Sequence, residues 1–90
     1  LIYKDFLKMA KQFSSNTPLQ LDAKPGDIGV VQVVSVTGTV SLEGSINGGS
    51  DWTEIQAFTA PAINAVVLTG SMRVTDGAGG VPTADVWVGK

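Results

Sequence analysis

The sequence predicts a mainly β fold: an antiparallel β-sandwich or small barrel of six to seven short strands, preceded by an N-terminal amphipathic helix. Three observations carry that prediction. From Leu19 onward, short β-branched or alternating segments recur at regular spacing between turn signals. Fifteen of the 90 residues are Gly or Pro, a level that suits many turns and falls short of a disordered chain. Before Leu19, by contrast, the apolar residues repeat at helical spacing.

The helix comes first. At about 100° per residue, Ile2, Phe6, Met9 and Phe13 fall on one arc, with Lys4, Lys8 and Lys11 opposite. Tyr3 and Ala10 widen the apolar stripe. Ser14 to Thr17 end it, because Thr17 precedes Pro18 and is pushed toward extended geometry. A free helix of about 13 residues is marginal in water, so this one needs a surface to lie against. Its own β domain, a neighbouring subunit and a membrane surface are the three candidates. The chain thus divides into a helical arm with its linker, residues 1–17, and a β domain, residues 18–90. Charge divides similarly: residues 1–21 carry +2 and residues 22–90 carry −4. Ile2, Phe6, Met9 and Phe13 are the expected partner-binding residues of the arm.

In the β domain, Lys24-Pro25-Gly26-Asp27 is a turn, since Pro presets one dihedral and Gly supplies a positive one. Ile28 to Val36 is apolar on both faces and reads as a strand covered on both sides. Val40, Leu42, Gly44 and Ile46 alternate with Thr39, Ser41, Glu43 and Ser45, the pattern of a half-buried strand with one wet face. Asn47, Gly48 and Gly49 form a tight hairpin turn into a strand over Trp52 to Phe58. Ile55 and Phe58 reach one core only if a bulge intervenes near Gln56. Ile63 to Leu68, Ser71 to Thr75 and Ala84 to Val88 are further short strands, with a glycine-rich loop over 76–82.

Composition narrows function before any motif does. The chain has no His and no Cys, so the commonest general base, the commonest zinc ligand, a thiol nucleophile and a disulfide framework are all missing. A net charge of −2 leaves no basic footprint for nucleic acid. The longest apolar run, Ile28 to Val36, is far short of the roughly 20 residues a spanning helix needs, so no membrane role is expected. Asp76-Gly77-Ala78-Gly79-Gly80 offers one carboxylate where calcium needs several oxygen ligands. Asp51 and Glu54 could be cast as an acid–base pair, but they flank a solvated hairpin tip. No P-loop and no glycosylation sequon is present. The expectation is a non-enzyme with no cofactor and no metal.

The stretch Gly38-Thr39-Val40-Ser41-Leu42-Glu43-Gly44-Ser45-Ile46-Asn47-Gly48-Gly49-Ser50-Asp51-Trp52-Thr53-Glu54-Ile55 resembles a hairpin, V-x-L-x-G-S-x-N/D-G-G-x-x-W-x-x-I/L, of small β-sandwich structural proteins in tailed bacteriophage virions. Met72-Arg73-Val74 and Asp85-Val86-Trp87-Val88-Gly89 resemble their closing strands, so the likeness spans residues 38–90. It implies a virion location and a non-enzymatic capsid decoration or cement protein that stabilises contacts between major capsid subunits. The implied partner is the major capsid protein or another virion protein. A homo-oligomer is also expected, a trimer by preference, since capsid lattices offer three-fold positions. The alternative is a carbohydrate-binding module of a phage tail or fibre, with Trp52 and Trp87 as stacking platforms. Either tryptophan could equally be an interface or core residue.

Overall fold

Phe13 sits in the interior at 1% exposure, paired through its backbone with Val86 on a neighbouring strand. That placement belongs to a computed structural model which describes residues 10–13, 19–20, 23–76 and 83–90. In chain order the strands are β1 (Ala10–Phe13), β2 (Leu19–Gln20), β3 (Ile28–Val36), β4 (Val40–Ser45), β5 (Thr53–Phe58), β6 (Ala62–Val67), β7 (Ser71–Thr75) and β8 (Ala84–Gly89). They make two four-stranded sheets, sheet A in the order β1-β8-β3-β6 and sheet B in the order β2-β7-β4-β5. Every pairing is antiparallel. The mainly β sandwich expected from the turn spacing is the observed fold.

Residues 10–13, read from their spacing as the last turn of a helix, are a strand. The physical reason is competition. A short helix gains little by itself, whereas this segment completes a ladder with β8 and buries a whole phenylalanine, worth about 1.5–3 kcal/mol. Phe13 therefore packs in its own sandwich and is not a docking residue of an arm. Ile2, Phe6 and Met9 lie outside the described residues, as does the linker that begins at Ser14.

The two central strands exchange the burial expected of them. β3, read as covered on both sides, alternates: Val31 and Val33 are buried, while Ile28, Val30 and Val34 are exposed. β4, read as having one wet face, is buried on both sides apart from the half-buried Glu43. Val40 and Leu42 belong to the core, and the small Ser41 and Ser45 are also buried, bonded to Glu54 and Asn47 respectively.

The core lies between the sheets. Phe13, Val31, Val33, Val66, Val86 and Val88 come from sheet A; Val40, Leu42, Phe58, Met72 and Val74 come from sheet B. Leu68, just past β6, is fully buried among them. Two bulges bring the patterns into line. In the β4–β5 ladder Leu42 faces Gln56 and Glu43 faces Glu54, which leaves Ile55 as the extra residue. This is the bulge that Ile55 and Phe58 required, one position from Gln56. The second sits at Val34, where the β3–β8 register slips and turns Val36 back toward the core.

Candidate functional site

Trp87 stands between Val86 and Val88, which are both buried, so the alternation of β8 sends its ring to the outer face of sheet A. It is 38% exposed. The register sets its neighbours: Gln12 of β1 on one side and Gln32 of β3 on the other, with Ile63 of β6 beyond Gln32. Side chains directly opposite one another across strands have Cβ atoms about 4.5–5.5 Å apart, so both amides border the indole. Gln12 Nε2 donates to Asp85 Oδ1 at 2.7 Å, tying a carboxylate into the same row. The next row is smaller, with Gly89, Val30 and Ala65 side by side. The rest of the face is apolar: Ile28 and Val67 pair at its far end and are about half exposed or more.

Chemically, this is an aromatic surface edged by amides. An amide both donates and accepts, which matches a hydroxyl that does the same. The face therefore suits a ligand with apolar C–H surface and a rim of hydroxyl groups.

Trp52 is placed differently. The guanidinium of Arg73, on β7, lies 4.5 Å from the centroid of its ring, so one face of the indole is already covered. Arg73 Nε also donates to Glu43 Oε1 at 2.6 Å across the β4–β7 pair. Ser41 Oγ donates to Glu54 Oε1 at 2.7 Å, so the neighbouring carboxylate on the outer face of sheet B is engaged too. Trp52 and Trp87 are thus on opposite sides of the sandwich and cannot form one platform.

The hairpin turn closes the β4–β5 edge. Gly48 and Gly49 have φ of 75° and 90°, a region that costs little for glycine alone. Asn47 locks the turn: its Oδ1 accepts from Ser45 Oγ and from the Asp51 N–H, and its Nδ2 donates to Asp51 Oδ2. Beside the turn, Gly44, Ile46, Ile55 and Thr69 line an open cleft of about 360 Å³ with Asn47 and Asp51 at its rim. Ser45, Asn47 and Asp51 there bond to one another, and Thr69 Oγ1 donates to the Ser71 carbonyl at 2.7 Å.

The chain lacks His and Cys, and among the described residues no three metal-ligating side chains cluster. Asp51 is held in the turn while Glu54 bonds Ser41 across the sheet, so the two are not a working pair. No helix among the described residues is long and apolar enough to cross a membrane.

Sequence reasoning singled out both tryptophans but missed Gln12, Gln32 and Asp85. The signal was present: Gln32 is the one amide in β3, whose other polar side chain is Ser35, and Asp85 is two residues before Trp87, on the same face of a strand. Gln12 could not be found, because its segment was read at the wrong period.

No protein-family model and no curated protein matches the chain. Two solved structures share its fold with a TM-score of 0.56 at 10% sequence identity. Both are variants of CBM29-2, one arginine-to-alanine and one aspartate-to-alanine, made to probe ligand recognition by family 29 carbohydrate-binding modules. Each match covers 81% of this chain, which spans 57% and 56% of the two solved chains. The phage reading is corrected on this ground. The solved sandwiches that this fold matches are carbohydrate-binding modules, not capsid decoration or cement proteins. The hairpin motif behind the phage resemblance is a way of making a tight β-turn, and such a turn does not identify a family. The capsid partner, the three-fold assembly and the virion location had been implied by that resemblance, which no longer supports them.

Proposed function

We propose that the chain is a non-catalytic carbohydrate-binding module whose binding face is the outer face of sheet A. The observation that carries this reading is Trp87, exposed on that outer face and bordered by Gln12 and Gln32. The apolar side of a pyranose ring stacks on the indole, and its equatorial hydroxyls reach the two amides and Asp85. The fold likeness to carbohydrate-binding modules supports the reading without supplying a ligand. Trp52 is not part of the face, because Arg73 already occupies its ring.

The test is a titration with soluble oligosaccharides, followed by calorimetry. Trp87→Ala is expected to weaken binding at least tenfold, in line with the roughly 2 kcal/mol that a buried aromatic anchor contributes to an interface. Trp52→Phe leaves affinity unchanged. Loss of binding in Trp52→Phe with retention in Trp87→Ala would move the site to sheet B.

A further inference from the structure

Sheet A ends at β6, and among the described residues no strand pairs with the outer edge of β6. The β3–β6 register is unbroken from Ile28↔Val67 to Val33↔Ala62. Its continuation at Asp27 and Leu68 is a hydrogen-bonded pair, since the Leu68 N–H donates to the Asp27 carbonyl at 2.7 Å. Antiparallel ladders alternate, so Val66, Asn64 and Ala62 turn their backbone groups toward β3. Ile63, Ala65 and Val67 turn theirs toward the open edge. These same three residues carry the outward side chains, with Ile63 67% and Val67 48% exposed.

Natural sandwiches guard such an edge with a charge, a proline or a bulge. The other long edge strand, β5, has both Glu54 and the Ile55 bulge. Ala62-Ile63-Asn64-Ala65-Val66-Val67 has no charge, no proline and no irregularity. An uncharged strand repels no copy of itself, and its edge-facing residues are self-complementary about Ala65.

From this geometry we infer that β6 pairs antiparallel with β6 of a second copy of the chain, about a two-fold axis at Ala65. Ile63 then faces Val67 of the partner subunit, the two Ala65 residues face each other, and the small side chain on the axis lets the backbones close. Residues 63, 65 and 67 form hydrogen-bonded pairs, which gives a continuous sheet built from both copies of sheet A. An axis normal to the sheet keeps both outer faces on one side. If the glycan reading above holds, two Trp87 faces lie side by side and a long polysaccharide meets both at once. The pairing itself does not depend on that reading.

Sedimentation velocity of the 90-residue chain from micromolar to near-millimolar concentration tests the pairing. A monomer–dimer equilibrium is expected. Ala65→Pro removes an edge-facing N–H that no internal bond uses, and Ile63→Lys places a charge at an exposed position. Both variants should sediment as monomers with the parent's circular dichroism. Retention of Ala65→Pro on an immobilised polysaccharide, taken relative to its own affinity for a short oligosaccharide, should fall by roughly 10- to 100-fold through lost avidity. A parent that stays monomeric throughout, or a dimer that survives in Ile63→Lys, overturns the proposal. Dimer loss in the variants with no glycan binding by the parent supports the pairing and overturns only the glycan reading.

Discussion

The two outer faces of this sandwich are made of opposite materials. On sheet B, Ser41, Ser45, Ser71 and Thr75 are buried, and the longer polar side chains of its outer face are engaged in an ion pair, a hydrogen bond and a ring contact. On sheet A, Ile28, Val30, Ile63, Val67 and Trp87 meet solvent directly. Polar groups that satisfy one another stabilise a surface and make it a poor ligand site. Apolar groups left in water gain free energy from whatever covers them. Here the more hydrophobic face is the one with free energy to gain from being covered.

That contrast can be tested by stability as well as by binding. The largest effect is expected beneath the polar face, where Leu42 is fully buried. Leu42→Ala should lower stability by about 2–5 kcal/mol. Val30→Ala, on the exposed apolar face, should cost only about 0.5 kcal/mol in the same denaturant titration. Equal losses would mean that the outer face of sheet A is covered in solution, which edge-to-edge pairing of β6 does not do.

A smaller effect is expected from Arg73→Ala, which removes the Glu43 ion pair and uncovers the Trp52 ring. The loss should be about 1 kcal/mol, since both interactions are partly solvated. Trp52 fluorescence should report it, with Trp87→Phe as background to isolate the signal. Gln32→Ala on the opposite face should leave the melting temperature where it was. If instead Gln32→Ala destabilises and Arg73→Ala does not, the two faces have been assigned the wrong roles.

The smallest effect concerns acid. Asp27, at the start of β3, is held below its ordinary value of 3.8 chiefly by the Lys24 N–H, which donates to its carboxylate at 2.9 Å. The Lys90 ammonium, also 2.9 Å away, acts in the same direction. A carboxyl whose folded pKa is depressed contributes stability that is fully present above 3.8. That contribution is lost as pH falls through the folded value. Thermal melts of the parent should therefore drop more steeply below pH 4 than those of Asp27→Asn. Parallel curves would show that this exposed cluster adds nothing measurable.

Much of the fold was legible because turns and alternation are local. Gly26, Gly48 and Gly49 have the positive φ that their turn sequences call for. β7 runs from Ser71 to Thr75 as its residues indicate, and the bulge on β5 follows from two apolar residues that could not otherwise share a face. The N-terminal segment was misread for a non-local reason. Ala10–Phe13 is a strand only because β8, more than 70 positions along the chain, offers it an edge. The site was half legible. A tryptophan between two valines announces an exposed aromatic, but its neighbours Gln12 and Gln32 are assembled by register across three strands.

By itself, then, the sequence determined the β character of the chain after Leu19, the positions of the turns and the absence of His and Cys. It also determined which residues share a side of a strand, because a pleated chain sends alternate side chains to opposite faces. Which side is covered was decided only by the tertiary structure. β3 reads as the more buried strand and has an exposed face; β4 reads as half wet and is covered on both sides. The reason is that burial belongs to a neighbour as much as to a residue. The serines of β4 find partners in Glu54 of the next strand and Asn47 of the turn, whereas on the outer face of sheet A no described element lies over the valines of β3.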